Sequence, residues 1–137
     1  MEKSVKCAIG EHLVLAELLK RGFEAYIAHG PTQSGWDIAV VKNEQVKRIQ
    51  VKTIGWPNKN QQTVTVSRAL NFDYLVVVLL NLGQPHSRYL VCNRQELEQY
   101  LSSENDDRKG NSRSWYISNN LDKYINLENS WTAIGSP

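Results

Sequence analysis

Two β-branched runs on either side of a short polar stretch constrain this chain more than any other feature of its sequence. Residues 36–41 read Trp-Asp-Ile-Ala-Val-Val, residues 46–53 read Val-Lys-Arg-Ile-Gln-Val-Lys-Thr, and Lys-Asn-Glu-Gln lies between them. Runs of this composition that flank a few polar residues are typical of a β-hairpin. The sequence therefore predicts two antiparallel strands whose turn is centred between Asn43 and Glu44.

That turn determines which side chains meet across the hairpin. It places Asp37 opposite Gln50, with about 5 Å between their Cβ atoms and diagonal neighbours at roughly 7–8 Å. Because side chains alternate with period two along a strand, Arg48, Gln50 and Lys52 share one face of the hairpin. A carboxylate, an amide oxygen and an ammonium group therefore converge on one patch, which is a costly arrangement on a surface meant only for packing.

The composition is that of one globular domain, and we expect a single domain over residues 1–137. The chain has 41% hydrophobic and 22% charged residues, which are ordinary values for a protein that buries a core. No apolar run approaches the length of a membrane span, and the first residues lack the apolar core of a signal peptide. Cys7 and Cys92 form no metal-type or redox motif, so we expect two buried free thiols in a cytoplasmic protein.

Charge is distributed unevenly along the chain, although its net value is only +2. Residues 1–68 carry ten Lys and Arg against six Asp and Glu, whereas the remainder carries six against eight. The basic excess therefore lies in the half that contains the predicted hairpin. A surface that binds phosphate groups requires such an excess.

Periodicity and turn residues predict the other elements. Residues 73–80 form the most apolar run and indicate a central, buried strand. The further expectations are strands at 23–28, 63–66, 88–92 and 115–117, a helix capped by Asn93 that ends at Leu101, a loop over 102–114, a helical turn at 121–124, and anchoring of the C-terminal segment by Trp131 and Ile134.

Residues 4–21 show the period of an amphipathic helix, with Ser4 as its expected N-cap. Glu11 is unusual in it, because its neighbours three and four residues away are all apolar and place it on or beside the buried face. Glu11 is either a border residue whose carboxylate reaches water or a functional residue. Gly10 beside it allows close approach to a sheet. The expected apolar face consists of Val5, Ala8, Ile9, Leu15, Ala16, Leu18 and Leu19.

The order of these features resembles the PD-(D/E)XK nuclease superfamily. The matching residues are Glu11 on the first helix, Asp37 in Gly-Trp-Asp, and Gln50 with Lys52 in Gln-Val-Lys. Over roughly the first 80 residues the chain is similar in particular to small members related to archaeal Holliday-junction resolvases and to PD-(D/E)XK homing endonucleases. The resemblance implies an α/β, restriction-endonuclease-like core, in which the N-terminal helix packs on a mixed β-sheet and further helices lie on the C-terminal side.

The resemblance also implies a metal-dependent deoxyribonuclease with Mg²⁺ or Mn²⁺ as its cofactor. Its catalytic residues would be Glu11, Asp37, Gln50 and Lys52. Hard divalent cations take oxygen ligands, which the Asp37 carboxylate, the Gln50 side chain, the Val51 carbonyl and, through a water, Glu11 would supply. Lys52 would stabilise the negative charge that develops in the transition state.

The implied partner is DNA, with RNA as an open alternative, and no membrane is expected to take part. A homodimer is a further expectation, because a domain this small needs two copies to cut two strands symmetrically. The predicted contacts to nucleic acid are basic, aromatic and hydroxyl side chains near the hairpin, namely Lys47, Arg48, Lys59, Arg68, Trp56 and Ser34.

Two departures from the family pattern leave other functions open. Gln50 stands where most members have Glu or Asp, which removes a formal charge and lowers the expected metal affinity. In addition, no long helix is expected between the hairpin and the strand at 73–80, where residues 63–66 predict extra strand structure, as in the resolvase-like members.

The main alternative is therefore a catalytically silent nucleic-acid-binding or protein-interaction module that retains the fold. A second is a compact α/β binding protein with an accidental resemblance. On either alternative, Asp37 and Lys52 form a diagonal cross-strand salt bridge of little energetic value. Trp36 and Trp56 are either packing residues or platforms on which bases stack.

Overall fold

A five-stranded mixed sheet forms the centre of the fold, with an N-terminal helix on one face and a two-stranded sheet on the other. The computed structural model describes residues 1–28, 35–58, 62–103 and 110–137. Two short 3₁₀ helices, Leu121–Tyr124 and Trp131–Ile134, lie near the C-terminus. The other elements, in chain order, are α1 (Lys3–Lys20), β1 (Glu24–Ile27), β2 (Ile38–Lys42), β3 (Gln45–Gly55), β4 (Gln62–Ser67), β5 (Tyr74–Leu80), β6 (Arg88–Asn93), α2 (Arg94–Glu98) and β7 (Ser112–Ile117).

The β2–β3 hairpin has the predicted register. Asn43 and Glu44 at its tip both have positive φ, at 51° and 65°, which is the conformation of the two-residue type I′ turn that suits a hairpin. Every β2 residue pairs with β3 in the register that this turn sets. One step beyond the last pair, Asp37 and Gln50 lie across from each other.

Strand β3 divides the interior into two apolar clusters, and its side chains alternate between them as predicted. Ile49 and Val51 are buried in the cluster beneath α1. Ile54 is buried in the cluster on the opposite face. Gln50 and Lys52 alternate with these residues, so their side chains are not part of the cluster beneath α1.

The five strands of the large sheet are ordered β1-β2-β3-β5-β6, and β3 and β5 run parallel. Leu75–Leu80 of β5 are all buried, which confirms the predicted central strand. Between β3 and β5 the chain forms β4, which pairs with β7 in the second sheet. The extra strand structure expected from residues 63–66 is thus present.

Helix α1 buries a narrower face than its sequence predicts. Its buried residues are Gly10, Val14 and Leu18, whereas Val5 and Leu19, which were expected to pack, are exposed. Apolar residues occur all around this helix, so periodicity alone does not identify the face that meets the sheet. The expected N-cap is also wrong, because α1 begins at Lys3 and has no side-chain cap.

The C-terminal third differs from the prediction at two places. The helix capped by Asn93 is present, with the reciprocal capping box of Asn93 and Glu96, but it ends at Glu98. The expected loop over 102–114 is wrong at its end, because β7 begins at Ser112 and buries Arg113. A charge is tolerated there because Arg113 Nη1 donates to Glu98 at 2.9 Å. Residues 104–109 lie outside the described part of the chain.

Both cysteines are free thiols, but only Cys92 is buried as predicted, whereas Cys7 is exposed. Burial raises the pKa of the Cys92 thiol to about 12. Among the described residues, no helix has both the length and the apolar character needed to cross a membrane.

Candidate functional site

A cleft of about 510 Å³ opens where the first half of α1 passes the middle of β3 and the start of β4. The five residues predicted for metal binding and catalysis all line it: Glu11, Asp37, Gln50, Val51 and Lys52. Three separate elements supply them, because Glu11 comes from α1, Asp37 precedes β2, and the other three lie on β3. The fold thus assembles in one place residues that are far apart in sequence.

The Asp37 carboxylate is held in a defined orientation. Its Oδ2 accepts a hydrogen bond from the Val51 N–H at 2.7 Å. Its backbone is also fixed, since Asp37 N–H donates to the Ile49 carbonyl at 2.8 Å and its own carbonyl accepts from Ala28 at 2.9 Å. One carboxylate oxygen is therefore used in positioning, and Oδ1 is the oxygen left to meet a ligand.

Gln50 contributes an oxygen that no described residue satisfies. Its Oε1 is buried and has no hydrogen-bond partner among the described residues. Leaving a buried acceptor unpaired costs about 1–3 kcal/mol. Such an atom, across the hairpin from a carboxylate, indicates a position that a bound group completes.

The donor set in the cleft fits a hard divalent cation only if the Gln50 amide takes part. Among the described residues, no three His, Cys, Asp or Glu side chains come together as a metal-binding group. Glu11 and Asp37 are the two carboxylates that line the cleft. Carboxylate and amide oxygens are both ligands of Mg²⁺, so these two residues and Gln50 together provide a suitable set.

Lys52 lines the same cleft, and no described carboxylate lies within ion-pair distance of it. It forms no ion pair or hydrogen bond with any other described residue, and the diagonal salt bridge with Asp37 is not formed. Its ammonium group is therefore available to an anionic ligand in the cleft.

A close helix–sheet contact places Glu11 over the site. A Cβ atom built on Gly10 would lie 1.7 Å from Thr53 Oγ1, so only glycine allows α1 to cross β3 at this distance. Glu11 follows directly and lines the cleft beside Lys52. The close approach anticipated from Gly10 is present, and it positions the glutamate.

Sequence reasoning missed two lysines of the cleft. Lys3 and Lys6 line it from the first turn of α1, and neither was predicted to bind nucleic acid. Helical spacing from Glu11 contains the signal for Lys3, because positions four and eight residues earlier, Cys7 and Lys3, lie on the same side of a helix. With Lys52, three ammonium groups face two carboxylates in this cleft.

Four of the six residues predicted to contact nucleic acid do not line this cleft. Lys47 Nζ donates to the Ile134 carbonyl, and Arg48 pairs with Asp73 at 3.3 Å. Arg68 Nε donates to the Gly110 carbonyl at 2.5 Å. Trp56 is half-buried against the apolar cluster on the face away from α1. Lys59 and Ser34 lie outside the described residues.

A larger and shallower hollow of about 860 Å³ lies beside α2 and contains none of the predicted catalytic residues. Its two carboxylates are already used by the protein, since Asp73 accepts from the Arg48 N–H at 2.7 Å and Glu98 pairs with Arg113. Partial burial would raise the pKa of Asp73, but the hydrogen bonds and charge of Arg48 outweigh it and hold that pKa below its usual value. Size alone therefore does not identify the functional site.

The element order and the position of α1 on the mixed sheet define a restriction-endonuclease-like fold, the class that the sequence predicts. Two solved structures with this architecture are similar over nearly the whole chain. One is the bacterial homing endonuclease I-Ssp6803I, with a TM-score of 0.64, 16% identity, and coverage of 97% of this chain and 91% of that chain. The other is Hjc, a Holliday junction resolvase from the archaeal hyperthermophile Archaeoglobus fulgidus, with a TM-score of 0.53, 17% identity, and coverage of 96% and 98%.

Sequence comparison adds nothing to this structural likeness. No protein-family model matches the chain. No curated protein matches it in sequence. At these identities the two structures establish the fold, and the function has to be argued from the cleft.

Proposed function

We propose that this protein is a metal-dependent endonuclease that hydrolyses phosphodiester bonds in DNA. The observation that carries the proposal is the buried oxygen of Gln50, which has no partner in the described part of the chain and lies in the same cleft as the Asp37 carboxylate. Two oxygen donors of this kind are what Mg²⁺ and Mn²⁺ prefer in proteins. The two similar structures named above, a homing endonuclease and a Holliday junction resolvase, are nucleases, which supports the proposal.

Asp37 and Gln50 hold the cation in this proposal, the Val51 carbonyl adds a third oxygen, and Glu11 acts through a water. The Val51 N–H keeps Asp37 Oδ2 in place, so the carboxylate can present Oδ1 without rearrangement. When bound, a divalent cation neutralises phosphate charge and activates water for attack on phosphorus.

Lys52 acts on the phosphate side of the reaction. Because it shares its face of β3 with Gln50 and has no ion-pair partner among the described residues, its ammonium group can contact a non-bridging phosphate oxygen. A fixed donor that meets charge developing in the transition state contributes on the order of 10²–10³ in rate.

Lys3 and Lys6 bind the DNA backbone at the rim of the cleft. They extend the positive charge of Lys52 along the first turn of α1. Binding should therefore weaken with salt, and each lysine replaced by Ala should lower the slope of log K against log salt by about 1 if it contacts a phosphate. Fluorescence anisotropy with labelled DNA measures this slope.

Cleavage of a mixed panel of nucleic acids tests the enzyme directly. The panel contains branched, linear duplex and single-stranded DNA with RNA counterparts, incubated with Mg²⁺, Mn²⁺ or EDTA. Wild type should cut DNA only with metal, and Asp37→Ala should abolish cleavage. Lys52→Ala should keep its metal affinity in calorimetry but lose on the order of 10²–10³ in rate. Asp122→Ala and Lys123→Ala, exposed and outside the cleft, are matched controls that should cut normally.

A catalytically silent nucleic-acid-binding module is the second candidate. It is favoured by the neutral Gln50 and by the absence of a group of three acidic, His or Cys side chains among the described residues. Gln50→Glu separates the two, because an added carboxylate should tighten Mn²⁺ binding in an enzyme of this design. Retention of DNA without cleavage, and no gain in Mn²⁺ affinity or activity in Gln50→Glu, would establish the silent module.

A further inference from the structure

Thr53 supplies a second buried oxygen that no described residue satisfies. Its side chain lines the cleft, and its Oγ1 is buried without a hydrogen-bond partner in the described part of the chain. Val51 and Ile49, two and four residues earlier on β3, are buried beneath α1. Because side chains alternate along a strand, Thr53 faces the same helix, which carries Glu11.

Packing does not account for a hydroxyl group at position 53. A buried hydroxyl without a partner lowers the stability of a protein, because it gives up its hydrogen bonds to water. An alanine would avoid this loss and would still leave room for the contact with Gly10. A partner that binds in the cleft would explain why the chain has a hydroxyl at this position.

The contact with Gly10 determines which way the Thr53 hydroxyl can donate. A Cβ atom built on Gly10 would lie 1.7 Å from Oγ1, so the Cα–H bond in that position points towards the oxygen. Cα–H groups donate weakly to oxygen, and Oγ1 is the acceptor in this contact. A hydroxyl has two lone pairs and one hydrogen. Because one lone pair faces Gly10, the hydrogen is directed away from it, and Thr53 is a donor.

Glu11 provides an acceptor close to this donor. It follows Gly10 directly in α1, and consecutive Cα atoms are about 3.8 Å apart, so the contact at Gly10 keeps Glu11 near Thr53. Both side chains line the cleft, but Thr53 Oγ1 does not bond to the carboxylate. A water between them can accept from the Thr53 hydroxyl and donate to Glu11, since a carboxylate accepts several hydrogen bonds.

We propose that Thr53 is a positioning residue of the candidate site, whose hydroxyl holds the water through which Glu11 acts. The inference rests on the proposed function, because this water has a role only if the cleft binds a cation. A water that accepts from Thr53 and donates to Glu11 keeps one hydrogen and one lone pair for a ligand in the cleft. Outer partners of this kind typically change metal affinity or activity by about 10–100-fold.

A comparison of Thr53→Ser with Thr53→Ala tests the proposal, because these two variants differ only in the hydroxyl. Calorimetric titration with Mn²⁺ measures their metal affinity without reference to activity. Thr53→Ser should bind Mn²⁺ like wild type, whereas Thr53→Ala should bind it about 10–100-fold more weakly. Urea unfolding in EDTA should show that Thr53→Ala is at least as stable as Thr53→Ser, because no described residue bonds to the hydroxyl.

The same titration in a Glu11→Ala background tests whether Thr53 acts through Glu11. Two residues that hold one water are not independent, so their effects on affinity should not add. Thr53→Ala should therefore cause little further loss of Mn²⁺ affinity once Glu11 has been replaced. Thr132→Ala is the matched control, because Thr132 is exposed and lies outside the cleft, and it should bind Mn²⁺ like wild type.

The outcomes separate this inference from the proposed function. Equal Mn²⁺ affinities of Thr53→Ser and Thr53→Ala would overturn the inference alone, since the cation would bind without help from the hydroxyl. Additive losses in the Glu11→Ala background would also overturn it, as would a Thr53→Ala protein that is less stable than Thr53→Ser in EDTA. A wild type that binds no Mn²⁺ would overturn the proposed function and this inference together.

Discussion

Replacing Gln50 tests the site through the stability of the metal-free protein. Gln50 Oε1 is buried without a partner among the described residues, and such an atom costs about 1–3 kcal/mol. Gln50→Met keeps the length of the side chain and removes its polar atoms, so the free energy of unfolding should rise by about 1–2 kcal/mol. Gln50→Glu instead places a second carboxylate across from Asp37 and should lower that free energy by a similar amount.

A divalent cation should reverse this order of stability among Gln50→Met, wild type and Gln50→Glu. A ligand that binds only the folded state stabilises it by RT ln(1 + [L]/Kd), about 2.7 kcal/mol at a hundredfold excess over Kd. The increase caused by Mn²⁺ should therefore be largest for Gln50→Glu, smaller for wild type and smallest for Gln50→Met. Thermal unfolding followed by tryptophan fluorescence, in EDTA and in Mn²⁺, measures this stabilisation as a rise in Tm. For a chain of this size, each kcal/mol raises Tm by about 3–5 °C.

Gln45→Met is the matched control, because Gln45 is exposed at the tip of the same hairpin and its replacement should change neither measurement. A loss of stability in metal-free Gln50→Met would refute the reasoning, since it would mean that the amide oxygen is satisfied in the folded protein. Equal Mn²⁺ shifts in wild type and both Gln50 variants would place the cation elsewhere.

Three further outcomes follow from other contacts. Gly10→Ala should destabilise the protein by about 1–3 kcal/mol in urea unfolding, despite the better helix propensity of Ala, because its methyl group enters the contact between α1 and β3. A thiol reagent at about pH 8 should modify Cys7 and spare Cys92, and bound DNA should slow the modification because Cys7 lines the cleft. The hydrogen bond from Arg113 lowers the pKa of Glu98, so the stabilising effect of the charged Glu98 carboxylate is present at neutral pH and is lost in acid. From about pH 6 to about pH 3, the free energy of unfolding should therefore fall less for Glu98→Gln than for wild type.

The parts of the fold that could be predicted depend on local chemistry. The hairpin register follows from the turn at Asn43 and Glu44 and from period-two alternation, and both are properties of neighbouring residues. Because that register places Asp37 across from Gln50, the centre of the candidate site was accessible from the sequence as well. The fold class then followed from the order of Glu11 and the hairpin residues.

The parts that could not be predicted depend on distant contacts. Lys47 and Arg48 look like surface cations in sequence, yet their partners lie 87 and 25 residues further along the chain. Arg113 occurs in a polar stretch and is nevertheless buried, because Glu98 and the pairing of β7 with β4 hold it there. Likewise, the face of α1 that packs is decided by the fit of Gly10 on β3, which is a tertiary contact.

The central claim is that Asp37 and Gln50 bind one divalent cation, and a crystal soaked in Mn²⁺ tests it most directly. Anomalous difference density identifies manganese without reference to activity or to the oligomeric state. We predict a peak within coordination distance, about 2.2 Å, of both the Asp37 carboxylate and Gln50 Oε1, and its loss in crystals of Asp37→Ala. A cleft without a peak, or manganese bound only at other acidic residues, would contradict the account.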